Sequence, residues 1–369
     1  MIRRRRFLTA FAAATAAGGL ARTGRAQGVS KGRIEWRMVT SWPKGLPGLG
    51  TGAERIAKRI GAMSDGRLTV KVYAGGELVP SLQVFDAVAA GTVEMGHGAA
   101  YYNLQKSPAA GFFTSVPFGL TAAELNAWVY WGGGQELWDE LYGRFGVKPF
   151  LGGNTGVQMG GWFRKEIKSL DDVRGLKIRM PGHGGEVLRK LGAAQVLLAG
   201  GEIFANLQSG AIDAAEWVGP YNDLSLGFYQ VAKFYYWPGF HEPGAALECI
   251  VSKAKFEALS PDLKQIVTAA CAAENDLMLA EFHARSAPSL QVLVVKHGVQ
   301  LRQFPREVLI GIGNAAGELM EELRNNADPL VRKITTEFLR VRTLQSAWTR
   351  ISDQAIANAR LLPFNFPKT

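Results

Sequence analysis

The residue best placed to do chemistry is Arg179. It lies near the end of Gly175-Leu-Lys-Ile-Arg-Met-Pro181, where Leu176, Ile178 and Met180 alternate with Lys177 and Arg179, the period of two that marks a strand. Pro181, Gly182, Gly184 and Gly185 then turn the chain out of that strand. A guanidinium at the carboxyl end of a strand in an open α/β sheet stands where such sheets bind ligands, and its planar donors match a carboxylate or a phosphate. A surface or ion-paired arginine is the plain alternative. Further candidates fall at the ends of other short apolar runs. Gly210-Ala-Ile-Asp-Ala-Ala-Glu-Trp217 finishes on Glu216 and Trp217, and Tyr101, Tyr102 and Asn103 stand just beyond another strand. Asn154, Gly156 and Gln158 alternate onto one face; a strand passing between two lobes would carry both amides into the cleft, whereas amides elsewhere in a sheet would be structural. His241 and Glu242 precede Pro243-Gly244 within a strand-rich stretch, Tyr235 to Ser252.

Other chemistries fail on context. Gly48-Leu-Gly-Thr-Gly-Ala53 fits a dinucleotide fingerprint, but Pro43 and Pro47 lengthen the turn and no acidic residue ends the next strand at Tyr73. Gly28-Val-Ser-Lys-Gly32 has the letters of a nucleophile elbow without a strand before it. Asp171-Asp172 reads as a solvated turn, and no His-x-x-x-His pair occurs. Two cysteines, Cys249 and Cys271, exclude a four-thiolate zinc, and their apolar neighbours suit a pair of buried thiols better than a disulfide. An enzyme acting in the same cleft, a lyase or hydrolase, would need a positioned acid or base; His183, expected in a solvated Gly-rich loop, and His241 are the candidates.

The elements that must hold these residues form a repeat. Residues 34–98 read as βαβαβ, and residues 176–217 run through the same order more tightly. Trp36-Arg-Met38 answers Ile178-Arg-Met180, and Ala74-Gly-Gly-Glu-Leu78 answers Ala199-Gly-Gly-Glu-Ile203. Two similar α/β lobes with parallel sheets follow, with a cleft between them as the binding site. A strand order of second, first, third in each lobe would set Arg179 beside Glu216 and Trp217. Pro117 to Tyr142 reads as helical, with Trp128, Trp131 and Trp138 as core. Ser260-Pro261 opens a long helix to about Ser286, and further helices are expected over Ala315–Asn326 and Pro329–Arg360. In the last, Ile334, Phe338, Val341, Leu344, Trp348 and Ile351 make an apolar stripe with no evident partner in the lobes.

The N-terminus reads as an export signal. Arg4-Arg-Arg-Phe-Leu8 precedes an apolar run too short to span a membrane and a small-x-small site ending at Ala26. Six arginines lie in this segment, so most of the +10 net charge leaves with it. The remainder is about two domains long, and its charge gives no reason to expect nucleic acid.

Taken together, the Arg179 segment and the Gly210–Trp217 segment resemble the substrate-binding proteins of tripartite ATP-independent periplasmic (TRAP) transporters, of the type that binds 2-oxo acids, over essentially all of the mature chain. The resemblance implies a two-lobed periplasmic-binding-protein fold. Its expected parts are a twin-arginine signal at 1–26, a first lobe at 27–153 with returning segments from about 241–300, a second lobe at 154–240 with later helices, and a dimerisation helix at 329–360. It implies that Arg179 grips the substrate carboxylate, that Tyr102, Asn103, Asn154 and Trp217 line the pocket, and that Gln158, Glu216, the Trp217 carbonyl and Glu242 surround Na+ or, alternatively, Ca2+. A periplasmic location in a Gram-negative bacterium, a small 2-oxo or 2-hydroxy carboxylate, an integral membrane permease and a homodimer with exchanged helices are the expected setting.

Overall fold

The computed structural model describes residues 32–367; the export signal and its cleavage site lie outside them. In chain order, β1 (Ile34–Thr40), α1 (Leu49–Met63), β2 (Leu68–Tyr73), α2 (Val84–Ala89) and β3 (Met95–Gly98) are the first copy of the repeat. Then come α3 (Ala122–Trp131), α4 (Gly134–Gly143), β4 (Val147–Asn154) and β5 (Gly161–Phe163). The second copy is β6 (Lys177–Arg179), α5 (Gly182–Lys190), β7 (Ala194–Val196), α6 (Gly200–Ser209) and β8 (Ala214–Ala215). The chain continues through α7 (Pro220–Leu226), β9 (Phe234–Trp237), β10 (Ala246–Ser252), α8 (Lys253–Glu257) and α9 (Pro261–Gln291). It finishes with β11 (Gln300–Gln303), α10 (Arg306–Arg324), α11 (Pro329–Ile351) and α12 (Asp353–Ala359).

Two sheets result, ordered β2-β1-β3-β10-β4 and β11-β9-β5-β8-β6-β7. In each copy the first strand lies between the second and third, and all three are parallel, the order expected for βαβ units. The antiparallel neighbours are strands of the crossings: β10 inserts between β3 and β4, and β5 between β8 and β9. Consecutive β4 and β5 belong to different sheets, so residues 155–160 cross between lobes; residues 238–245 cross back before β10. Gln158 therefore lies on one crossing, with Asn154 at its start, and His241 and Glu242 lie on the other.

The repeat also shows in the turn after the second strand, which starts a helix in the second copy only. Glu77 accepts the Ala74 N–H at 2.9 Å and Glu202 accepts that of Ala199 at 2.8 Å, the same three-residue loop-back in each copy. Arg37 does not copy Arg179, because it reaches a half-exposed pair with Glu94 at 3.0 Å. Helix α9, roughly 46 Å long by its rise per residue, ties the lobes together. Its buried Glu274 holds Arg55 of α1 at 2.6 Å, and its Glu281 accepts the Tyr221 hydroxyl of α7 at 2.9 Å. Cys249 on β10 and Cys271 on α9 are buried free thiols in one apolar layer.

Phe113 is stacked between Trp128 and Trp138, at 5.3 and 4.9 Å, so those two tryptophans are core, whereas Trp131 is 92% exposed. The C-terminal helix corrects an expectation. Asp328 caps it through the Leu330 N–H at 2.8 Å, and Leu330, Val331, Ile334, Phe338 and Val341 are buried within their own chain. Phe338 packs on Phe112 at 4.9 Å and Trp128 at 5.5 Å. Only the later part of the stripe, Leu344, Trp348 and Ile351, is exposed. Phe338→Ala should therefore cost about 3–5 kcal/mol, against less than about 0.5 kcal/mol for Trp131→Ala. Urea denaturation of the two variants compares them; equal losses would mean that α11 does not complete the core.

Candidate functional site

Arg179 ends β6 as the alternation predicts, flanked by β7 and β8, and is fully buried. The Glu216 N–H donates to the Arg179 carbonyl at 2.9 Å, extending the parallel ladder by one step and bringing the two side chains together. Nη1 donates to the Glu216 carbonyl at 2.6 Å and to its Oε2 at 3.0 Å, and Nε donates to the Leu198 carbonyl at 3.3 Å. The fork is thus not wholly open: the Nη1 edge belongs to Glu216. Among the described residues Nη2 has only the Tyr102 hydroxyl, reaching from the other lobe, at 3.5 Å, so this is the less engaged edge of the guanidinium. The Trp217 ring lies 5.0 Å from the guanidinium carbon, a cation–π contact. That ring needs Gly200 beneath it, since a Cβ there would stand 2.3 Å from the indole.

The second crossing brings His241 and Glu242 to the other side of Glu216. His241 Nε2 lies 3.4 Å from Glu216 Oε1 and 3.9 Å from Glu242 Oε1, and among the described residues these three side chains form a cluster able to hold an ion. Gly184 admits the imidazole, because a Cβ there would meet the His241 Cβ at 2.7 Å. From the first crossing, the Gln158 N–H donates to the Glu242 carbonyl at 3.1 Å and its side-chain amide to Thr155 at 3.0 Å. Asn154 accepts the Gly156 N–H at 2.8 Å, leaving its amide nitrogen unpartnered.

Electrostatically the site is under-satisfied. Gln158 Oε1, Glu216 Oε1 and Glu242 Oε2 are buried without hydrogen-bond partners, an arrangement that folded proteins otherwise avoid. Burial, then the charge of Glu216, pushes the Glu242 carboxyl well above the usual range. Burial opposes the charge on Arg179, yet Tyr102 and Glu216 around it raise its pKa. Burial likewise raises Tyr101 and Tyr102. Three buried oxygens from a neutral amide and two carboxyls suit a hard cation, sodium or calcium, better than a thiophilic metal.

Sequence reasoning left His241 to the rival enzyme, named Tyr101 as a residue beyond a strand end without a role at the site, and did not place Thr155 there; adjacency of His241 to Glu242 was the available signal. His183 is not solvated. It is buried in α5, bonded at 3.0 Å to the Pro108 carbonyl, and burial lowers its pKa to about 4. Asn103 turns inward, its amide donating to Glu248 Oε1 at 3.4 Å, while Tyr142 donates to Oε2 at 2.6 Å.

Two sheets joined by crossing segments, with a buried polar site between them, define a two-lobed binding protein. The profile described as bacterial extracellular solute-binding protein, family 7, matches residues 39–326, and the chain belongs to this family, the solute-binding proteins of TRAP transporters. It is 43% identical over 325 residues, 88% of each chain, to a monocarboxylate 2-oxoacid-binding periplasmic protein of Nostoc. A TRAP solute-binding protein of Bordetella bronchiseptica, seen as a mixed-occupancy dimer with calcium and picolinate, is 40% identical, with a TM-score of 0.87 over 89% of this chain and 97% of that one. One from Pseudoalteromonas atlantica with bound sodium and pyruvate is 39% identical, with a TM-score of 0.86 over 89% and 99%.

Burial raises the Glu248 carboxyl to about 8. A group raised on folding contributes fully below its unfolded pKa, and that contribution is lost as pH rises through the folded value. Glu248→Gln mimics the neutral acid and can keep both partners. Its stability advantage should be small near pH 4.5 and grow to on the order of 5 kcal/mol by pH 8.5. Parallel urea-midpoint curves for the two proteins would show that Glu248 is ionised in the fold throughout.

Proposed function

We propose that this chain is a periplasmic receptor that captures small 2-oxo or 2-hydroxy monocarboxylates of the pyruvate and 2-oxobutyrate type and delivers them to an integral membrane TRAP permease. The observation that carries this reading is one buried guanidinium edge, Nη2 of Arg179, next to a group of buried, unpartnered oxygens. Arg179 takes the substrate carboxylate through that edge, and Trp217 backs the guanidinium. Tyr102 and Asn154 line the pocket, and Asn103, whose amide is engaged by Glu248, stands next to Tyr102 at its edge. Gln158, Glu216, Glu242 and the Trp217 carbonyl hold sodium or calcium. A cation there neutralises carboxylate charge and coordinates oxygen, which favours a 2-oxygenated acid over a plain one. Without it, Glu216 would repel the substrate.

Arg179, Glu216, Gln158 and Glu242 are almost completely covered, so entry requires the lobes to part. The crossings at 155–160 and 238–245 are the hinges this reading uses. The relatives' periplasmic setting and the expected export signal support the location.

Titration of pyruvate into exhaustively dialysed protein, followed by Trp fluorescence in choline, sodium and calcium buffers, tests the assignment. Affinity should rise with sodium or calcium, and Arg179→Met should weaken binding by about 2–4 kcal/mol. Equal affinity in all three buffers would remove the cation. An unaffected Arg179→Met variant would remove the anchor, and turnover of the acid would favour the enzyme.

The exposed half of α11, with Ile356, Leu361, Leu362, Phe364 and Phe366 beyond it, supports a homodimer built on the C-terminal segment. Trp348→Asp combined with Ile351→Asp should yield folded monomers by analytical ultracentrifugation. A dimer that survives both charges would place the interface elsewhere.

A further inference from the structure

A backbone carbonyl that serves an ion has no side chain to aim it, so the neighbouring peptide geometry must. The peptide joining Trp217 to Val218 is planar and trans, which makes its C=O point opposite to its N–H. That N–H is held: Val218 donates to Asp223 Oδ1 at 3.3 Å, and the next amide, Gly219, donates to the same oxygen at 3.2 Å. The other carboxylate oxygen accepts from Trp162 Nε1 at 2.9 Å and from the Tyr235 hydroxyl at 2.7 Å. Trp162 and Tyr235 face each other across β5 and β9, stacked at 4.0 Å, so Asp223 is braced from the sheet. The Val218 carbonyl is fixed as well, by the Met159 N–H at 2.9 Å. Among the described residues the Trp217 carbonyl itself accepts no hydrogen bond, although the residue is 3% exposed. Buried carbonyls are rarely left so.

We infer that Asp223 is a positioning residue for the cation: by gripping the Val218 and Gly219 amides it directs the Trp217 carbonyl away from itself, towards the ion. This rests on the cation-assisted receptor reading above. Resting on the sheet alone, the loop could rotate its peptide and satisfy that carbonyl elsewhere. Asp223 prevents this rotation, so the ligand is organised before the ion arrives. Asn222 on the same turn accepts from the Trp217 indole at 3.3 Å and donates to the Pro47 carbonyl of the first lobe at 2.7 Å. The first turn of α7 thus holds both the side chain and the carbonyl of Trp217.

The test measures calcium binding by calorimetry without any carboxylate, alongside pyruvate affinity in cation-free choline buffer. Asp223→Ala removes the oxygen that both the Val218 and Gly219 amides donate to. It should lower calcium affinity at least tenfold and change cation-free pyruvate affinity less than threefold. Tyr235→Phe removes a brace from the far oxygen only, and should reduce thermal stability while leaving calcium affinity within threefold. If Asp223→Ala does not fold, Asp223→Ser, which can still accept from one amide, should give an intermediate calcium affinity. Calcium affinity unchanged in the folded Asp223 variant, or falling in step with cation-free pyruvate affinity, overturns the inference while the receptor reading stands. Cation-independent binding by the unaltered protein overturns both.

Discussion

The structure depends on a buried ion pair at the end of one strand. Arg179 and Glu216 are fully covered and 3.0 Å apart, and taking two charges out of water costs several kcal/mol per ion unless their remaining donors and acceptors are met. Here they are met only in part. Nη2 of Arg179 and Oε1 of Glu216 face a region where Gln158 and Glu242 also lack partners. A chain selected only for stability would place apolar groups there. The unmet groups are a guanidinium edge, which suits an anion, and carboxyl and amide oxygens, which suit a cation, so the most expensive part of the interior is also the candidate binding site.

The rest of the fold supports that pair from several directions. Strand β6 and the residue after β8 supply the pair itself through parallel ladder geometry. The first lobe contributes Tyr102, while the crossings contribute Gln158, His241 and Glu242. A site assembled from two lobes and the segments between them changes when the lobes move, and this couples occupancy to shape without any separate device. Helix α9, held to α1 through Glu274 and to α7 through Glu281, touches elements of both lobes.

The C-terminal helix shows the limit of pattern reasoning. Its stripe continues at spacings of three and four from Ile334 to Ile351, yet the first half is buried and the second exposed. Periodicity reports that a face is apolar and is silent about what covers it. The aromatic pair Phe112 and Trp128, distant in sequence, covers Phe338.

Local rules made several features legible in the sequence. The alternation around Arg179 defined a strand end, the repeated Ala-Gly-Gly-Glu segments marked corresponding turns in the two copies, and the repeat implied two sheets with the first strand central. These follow from steric and hydrogen-bond preferences that act over a few residues. Tertiary structure alone decided the rest. Asn103 faces Glu248 because the turn after β3 folds back over β10, and His183 is buried because α5 packs against the Pro108 turn. His241 stands beside Glu216 because two crossings return to one cleft. Which oxygens remain unpartnered is settled by every surrounding donor at once, and distances between residues far apart in sequence carry no local signature.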